Sequence, residues 1–225
     1  ITSYTATSSP GGLTGTCSAS PCPVSGLTNG TAYTFTVTAT NSAGTGSASA
    51  ASNSVTPAAS QTITFNNPGP KNFGTTPTLT ATATSGLAVT FTSATTGVCT
   101  ITSGGVLTFV TTGTCTINAD QAGNGSYAAA AQVSQSFTVN PASQTISFTS
   151  TAPASAVVGG STYTPAATAT SGLAVTFTID SSSSAVCAIS SGVVSFTAAG
   201  TCVINANQAG NANYSAAAQV QQSFN

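Results

Sequence analysis

The chain has 225 residues and almost no charge, with one Lys, two Asp and no His. Because soluble domains are about one quarter charged, the single Lys71 excludes the basic surface that nucleic-acid binding needs. Proton-transfer chemistry lacks its usual His and Glu, and Asp120 and Asp180 lie far apart in sequence. We therefore expect no enzyme, no cofactor site and no metal site, since two scattered carboxylates cannot form a calcium site.

The composition indicates a folded protein, because disordered chains combine low hydrophobicity with high charge. Here 40% of the residues are hydrophobic, the mean hydropathy is +0.27 and the formal net charge is −1. No stretch reaches the roughly 18 apolar residues that span a membrane. A surface with so little charge lacks the repulsion that keeps soluble proteins apart, and this favours close packing against neighbours.

The first unit, residues 1–57, contains an alternating run, YTFTVTAT at 33–40, which predicts a half-buried strand. With GLTNG before it and NSAGTGS after it, this segment resembles the second half of a fibronectin type III domain of bacterial secreted proteins. The resemblance implies that Tyr33 is the corner tyrosine that opens a strand. It also implies that ITSYTATSS at 1–9 is an earlier strand of the same domain.

Both ends of the sequence predict incomplete domains. The first strands of the fibronectin-like domain have no counterpart, so we expect the chain to begin inside that domain. One later repeat ends QSFTVNP at 135–141, whereas the next stops at QSFN, 222–225, which predicts a truncated last strand. Two explanations remain open. The flanking chain completes these domains, or another subunit supplies the missing strands by strand addition.

The rest of the chain is an internal repeat. SQTITF at 60–65 returns as SQTISF at 143–148, and ATATSGLAVTFT at 81–92 returns unchanged at 167–178. GTCTINADQAGNGSY at 113–127 returns as GTCVINANQAGNANY at 200–214. A match this close over about 85 residues predicts two tandem copies of one domain. We assign the domains as 1–57, 58–140 (repeat 1) and 141–225 (repeat 2), and both repeats resemble bacterial Ig-like repeats of very long surface proteins.

Each repeat shows the period of two that is typical of strands. Repeat 1 contains seven such runs: 61–65, 77–84, 87–93, 98–102, 105–111, 114–119 and 132–139. Seven short strands in one small domain predict an antiparallel β-sandwich, and no segment has a convincing helical pattern. The predicted fold class is all-β, with tandem Ig-like and fibronectin III-like sandwiches arranged as a beaded rod. Phenylalanines recur at paired core positions: Phe65/Phe148, Phe91/Phe177, Phe109/Phe196 and Phe137/Phe224.

Six cysteines fall two to a unit: Cys17 and Cys22, Cys99 and Cys115, Cys187 and Cys202. Free buried thiols are one alternative, and zinc is a second that would need four ligands. Disulfides fit best, since each Cys in the repeats shares a strand face with a core Ile. Closing a loop of about 15 residues stabilises by roughly 3 kcal/mol. Disulfides imply an oxidising, extracellular or cell-surface location. Without a nearby base or cation, none of these thiols is a candidate nucleophile.

The linkers TPAAS at 56–60 and NPAS at 140–143 are short and contain Pro, which stiffens a connection. The architecture therefore predicts a structural segment of an extracellular bacterial fibre or giant surface adhesin. Such a segment would be a disulfide-stabilised spacer that associates with copies of itself.

The alternative function is a ligand- or glycan-binding accessory module of an adhesin or secreted enzyme. Sugar sites usually expose aromatic and acidic side chains, and this chain has no Trp and five Tyr. This makes binding by the segment itself the weaker hypothesis. A cell-surface or glycan ligand would then be bound elsewhere in a parent protein, and we expect no membrane insertion by this segment.

Overall fold

The computed structural model describes all residues from Ile1 to Asn225, and its regular structure is almost entirely β. The first unit forms one antiparallel sheet in the order β2-β1-β3-β4. Its strands are β1 (Ser3–Ser9), β2 (Thr14–Cys17), β3 (Thr34–Asn41) and β4 (Gly44–Thr45). Alternating Thr residues along β1 and β3 favour this extended pairing, since β-branched side chains fit a pleated surface.

The first unit has little core. Of its apolar residues only Ala6 and Tyr33 are buried, and Val37 on β3 is 37% exposed. The apolar face predicted from the alternation at 33–40 is therefore only partly covered. The physical reason is that the unit consists of a single sheet, and a sheet buries its apolar face only when a second layer packs on it.

Repeat 1 contains eight strands in three small sheets. The largest has the order β6-β12-β11-β8, and the two others are the pairs β10-β9 and β5-β7. The strands are β5 (Ile63–Thr64), β6 (Lys71–Asn72), β7 (Thr82–Ala83), β8 (Thr90–Ser93), β9 (Cys99–Ile101), β10 (Leu107–Phe109), β11 (Gly113–Asp120) and β12 (Val133–Asn140).

All seven strand runs predicted in repeat 1 contain a strand, and most observed strands are shorter than the runs. The additional strand is β6, which pairs parallel with β12. It has only two residues and follows the sequence NNPGP at 66–70, so it is too short to show a period. Between these sheets lies a core of twelve buried residues, which includes Leu107, Ile117 and the four predicted phenylalanines.

Repeat 2 has the same layout except that it lacks a counterpart of β6, and its core is less compact. Its sheets are β15-β18-β19, β13-β14 and β16-β17. The strands are β13 (Ile146–Phe148), β14 (Ala167–Ala169), β15 (Thr176–Ile179), β16 (Cys187–Ser190), β17 (Val193–Phe196), β18 (Cys202–Asn207) and β19 (Val220–Phe224). Its buried residues form two clusters, centred on Ile204 and on Ala206, and Phe148 and Phe177 are only partly buried.

The predicted all-β class with antiparallel sandwich repeats is confirmed. The one helical segment is a single turn of 3₁₀ helix at Ser181–Ser183, and the Asp180 side chain caps it by accepting from the Ser182 N–H. The sequence shows no helical period there, because one capped turn of serines depends on local hydrogen bonds alone. No helix of this protein is both long enough and apolar enough to cross a membrane.

Candidate functional site: disulfides and joint loops

The structure places the six cysteines in three pairs. Cys99–Cys115 and Cys187–Cys202 each join two strands that belong to different sheets of one repeat, and their Cα atoms are 5.7 and 5.8 Å apart. All four of these cysteines are buried in the cores of their repeats. The alternation that places Cys115 and Ile117 on one face of β11 explains why both side chains point inward.

The pair Cys17–Cys22 lies at the edge of the first unit, where it closes a short turn after β2. The Cα atoms are 5.2 Å apart, and both residues are only partly buried. This disulfide therefore restrains a surface turn, whereas the other two cross the centre of a domain.

A second feature is common to both repeats: a buried glutamine that is fully hydrogen-bonded. In repeat 1 the Gln61 Nε2 donates to Gln121 Oε1 at 2.6 Å and to the Ala128 carbonyl at 2.7 Å. In repeat 2 the Gln144 Nε2 donates to Gln208 Oε1 at 2.6 Å and to the Ser215 carbonyl at 2.7 Å. A serine hydroxyl donates to the glutamine Oε1 in each case, from Ser85 and Ser171.

These glutamines hold a loop that we call the joint loop, residues 124–127 in repeat 1 and 211–214 in repeat 2. The Asn124 Oδ1 accepts from the N–H groups of Ser126 and Tyr127, and Asn211 does the same for Asn213 and Tyr214. Such Asx turns fix a loop by local hydrogen bonds.

A glycine precedes each joint loop for a steric reason. Gly210 has φ +79°, and an added Cβ would lie 2.3 Å from the Tyr214 carbonyl oxygen. Gly123 has the same geometry relative to Tyr127. Only glycine combines this backbone conformation with so close an approach.

Each joint loop pairs with the linker that leads into its own repeat. In repeat 1 the Ala59 N–H donates to the Ser126 carbonyl, and the Ala128 N–H donates to Ala59, both at 2.8 Å. In repeat 2 Ala142 makes the equivalent two bonds with Asn213 and Ser215 at 2.9 Å. The linkers are therefore fixed to the domains that follow them.

The joint loop of repeat 2 also contacts repeat 1. The Asn213 Oδ1 accepts from Thr111 Oγ1 at 2.7 Å and from the Thr112 N–H at 3.1 Å. Thr112 Oγ1 donates to the Ala212 carbonyl at 2.8 Å. The ring of Tyr214 packs edge-on against Phe73, with centroids 5.7 Å apart. This joint combines three hydrogen bonds with one aromatic contact.

The joint loop of repeat 1 contacts the first unit in a similar way. A Cβ added to Gly30 would lie 2.4 Å from Ser126 Oγ, so the two backbones approach closely there. The Gly30 N–H also donates to the Pro57 carbonyl in the linker at 2.8 Å. Both joints of the chain thus use the same loop of the following repeat.

The few titratable groups are bound by neutral partners. The hydroxyl and N–H of Ser182 donate to Asp180 Oδ1 and lower the pKa of that carboxyl. The Thr28 N–H donates to Tyr33 Oη at 3.0 Å and lowers the pKa of this phenol. Asp120 accepts from Gln132, and Lys71 donates to the Pro68 carbonyl. Asp120 and Asp180 lie in different repeats, so they form no acid–base pair.

No group of three or more His, Cys, Asp or Glu residues is placed to hold a metal ion. The largest cavity, about 440 Å³, lies on the first unit beside Tyr4, Val37 and the Cys17–Cys22 disulfide. It is lined mainly by apolar side chains and by no charged residue. This cavity belongs to the partly covered face of β3.

Sequence reasoning identified the cysteines but missed the joint loops and their glutamines. One signal was present: Gln61 and Gln121 both have identical counterparts in repeat 2, Gln144 and Gln208. A polar residue kept at an inward-facing position in both copies indicates a satisfied buried hydrogen bond. The contacts of Thr111 and Phe73 across the joint could not be found in this way, because repeat 2 does not retain these residues.

No protein-family model matches the chain, and no curated protein matches it. Among solved structures, it is similar to domains 1–6 of the surface layer protein SbsC, with 17% identity and a TM-score of 0.30, over 99% of this chain and 34% of that one. Human protocadherin-24 EC1-2 matches 72% of this chain and 95% of its own at 13% identity and a TM-score of 0.29. The FN1-FN3 domains of chicken CNTN1 match 100% of this chain and 89% of their own, at 11% identity and a TM-score of 0.26.

The chain spans about a third of the surface-layer structure. The all-β class is given by the strands themselves. The three disulfides fit a structural extracellular module.

The buried disulfides predict a local stability effect. Replacing both Cys187 and Cys202 by Ala should lower the free energy of unfolding of repeat 2 by about 3 kcal/mol, because the unfolded loop regains its freedom. Guanidinium unfolding, followed by resonances of repeat 2, measures the effect. The matched control replaces Cys17 and Cys22, which lie in another unit, and should leave repeat 2 unchanged. An equal loss in both variants would contradict the prediction.

The lowered pKa of Asp180 predicts a weak acid sensitivity in repeat 2. Since the folded-state pKa lies below the unfolded value, the carboxylate stabilises the fold at neutral pH. This stabilisation is lost as the pH falls below about 4 and through the folded pKa. Asp180→Asn should remove this pH dependence, whereas Asp120→Asn should keep it. Thermal unfolding between neutral and acid pH tests this, and an identical pH profile for Asp180→Asn and the unchanged chain would contradict it.

Proposed function

We propose that the chain is a structural segment of an extracellular bacterial fibre or giant surface adhesin, in which it is a disulfide-stabilised spacer. The observation that carries this proposal is the repeated joint: both linkers pair with the joint loop of the following repeat through the same two backbone hydrogen bonds. A spacer must transmit orientation from one domain to the next, and a linker fixed in this way does so.

The second joint supports the proposal through its contacts with the preceding domain. Asn213 receives two hydrogen bonds from repeat 1, and Tyr214 packs against Phe73. A linker without such contacts leaves its domains free to reorient. Three hydrogen bonds and an aromatic contact favour a limited range of angles between the repeats.

Three features of the chain suit a protein that works outside the cell: its disulfides, its satisfied buried polar groups and its scarcity of basic residues. Each unit carries one disulfide, and no buried side-chain nitrogen or oxygen lacks a hydrogen-bond partner. The chain contains a single Lys and no Arg, so proteases that cleave after basic residues find one target. The resemblances to fibronectin type III and bacterial Ig-like repeats agree with this function.

Self-association with copies of the same chain is a second part of the proposal. The formal net charge of −1 leaves almost no electrostatic repulsion between copies. Exposed Thr residues such as Thr80 and Thr82 line the outer faces of repeat 1, and their hydroxyl groups can hydrogen-bond to a neighbouring molecule. Lateral packing of spacers would produce a fibre.

The joint predicts that repeats 1 and 2 reorient as one body. Residual dipolar couplings should fit a single alignment tensor for both repeats. The double variant Thr111→Ala/Tyr214→Ala should give two different tensors, because it removes one hydrogen bond and the aromatic contact. Thr108→Ala, which removes an exposed hydroxyl of repeat 1 that makes no hydrogen bond, is the control and should keep one tensor. Two tensors in the unchanged chain would refute the spacer function.

Self-association predicts a sedimentation coefficient that rises with protein concentration. Because charge contributes little, the rise should be nearly the same at low and high salt. Thr80→Asp/Thr82→Asp should reduce it, because the formal net charge of each copy changes from −1 to −3 and adds repulsion on an exposed face. A coefficient that is independent of concentration over the whole range would contradict self-association while leaving the joint intact.

A further inference from the structure

The far end of repeat 2 corresponds to the surface of repeat 1 that receives the joint loop. On repeat 1 this receptor surface consists of Phe73, Thr111 and Thr112. Thr111 and Thr112 directly precede Gly113, the first residue of GTC. In repeat 2 the residues before the equivalent Gly200 are Ala198 and Ala199.

The backbone hydrogen bonds identify the counterpart of Phe73. In repeat 1 the Phe73 N–H donates to the Asn140 carbonyl, three residues after Phe137. In repeat 2 the Ala156 N–H donates to the Asn225 carbonyl, one residue after Phe224. The turns that follow agree with this alignment, because the Thr75 N–H donates to the Asn72 carbonyl and the Gly160 N–H donates to the Val157 carbonyl. Val158 therefore corresponds to Phe73. Val158, Ala198 and Ala199 indeed border one common cavity.

These counterparts are uncovered. Val158 is 52% exposed and its neighbour Val157 is 67% exposed, which makes Val157 the most exposed large apolar residue of the chain. Ala198 and Ala199 are exposed, whereas Thr111 and Thr112 are half-buried against the joint loop. The same place in the fold is thus covered in repeat 1 and open to solvent in repeat 2.

The open surface retains the chemistry that the joint uses. The Ala199 N–H makes no backbone hydrogen bond, and it corresponds to the Thr112 N–H that donates to Asn213 Oδ1. Val158 offers an apolar side chain where Phe73 meets the tyrosine ring. What is lost is the pair of threonine hydroxyls, so apolar contact must carry more of the binding.

The partner that fits this open surface is a repeat whose own joint loop is free to bind it. Both joint loops of this chain are already engaged, since Ser126 lies against Gly30 and Asn213 is bound by repeat 1. A second copy of the chain in this conformation therefore has no free loop to offer. An additional repeat with the sequence Asn-Xaa-Xaa-Tyr after a glycine fits.

We propose that Val158, Ala198 and Ala199 form a receptor surface for the Asn-Xaa-Xaa-Tyr joint loop of a further Ig-like repeat. This inference rests on the proposed spacer function and extends it: the joint between repeats 1 and 2 is a general one, which adds domains at the end of repeat 2. The partner is recognised by its asparagine amide oxygen and tyrosine ring, without any charged contact.

The test extends the full chain by one repeat. A second copy of residues 138–224 is joined directly after Phe224, which reproduces the spacing between repeats 1 and 2. The added Val139 copy then follows Phe224 by two residues, as Val139 follows Phe137 in repeat 1, where it is buried. Residual dipolar couplings are measured for all three repeats.

One alignment tensor for the three repeats is expected. Replacing the copy of Tyr214 by Ala in the added repeat should give that repeat its own alignment tensor, while repeats 1 and 2 keep a common one. Val158→Asp in repeat 2, at an exposed position, should have the same effect. Thr108→Ala is the control and should release nothing. Using two variants on opposite sides of the contact guards against a folding defect in either one.

Three results would overturn the receptor surface, and one of them would also overturn the spacer function. A free added repeat beside rigid repeats 1 and 2 overturns the receptor surface and leaves the spacer function standing. An added repeat that stays aligned in both variants also overturns the receptor surface, since other contacts then hold it. Separate tensors for repeats 1 and 2 overturn both proposals.

Discussion

The hydrogen bond between a buried and a half-buried glutamine is the interaction on which the rest of the repeat depends. Gln144 lies at the start of repeat 2 and Gln208 directly follows its longest strand, β18, so their contact connects the start of the repeat to the segment that leads into the joint loop. A protein with three charged residues cannot make this connection with ion pairs. A neutral amide pair, with every donor and acceptor satisfied, makes it without the desolvation cost of a buried charge. The joint loop begins three residues after Gln208, at Asn211.

The disulfide and the glutamine pair act at different places and support one another. Cys187–Cys202 crosses the core between β16 and β18, and Gln208 directly follows β18. A strand fixed at one end by a covalent bond and at the other by hydrogen bonds has little freedom to shift its register. The Asx turn and the glycine then define the position of Tyr214, which is the residue that packs against Phe73 of repeat 1.

The fold was predictable because its signals are periodic, and the site was less predictable because its signals are single residues. Alternation located the strands and placed Cys115 and Ile117 on one inward face. The joint depends on which loop meets which surface, and no period encodes a contact between Thr111 and Asn213, some hundred positions apart. The sequence does not predict β6 because two residues cannot show a period. It does not predict the exposure of Val37 because alternation shows which side chains share a face of the strand but not whether another layer covers that face.

The linker part of each joint is built from backbone groups and therefore tolerates changes in sequence. The linker pairs through main-chain bonds at Ala59 and Ala142, and the Thr112 N–H would remain a donor in any residue except proline. Side chains add to this frame: Thr111 and Phe73 strengthen one joint, and Gly30 permits close approach at the other. Neighbouring domains can therefore differ in sequence and still be joined in the same manner. This explains how equivalent loops of the two repeats contact both the first unit and repeat 1 in a single chain.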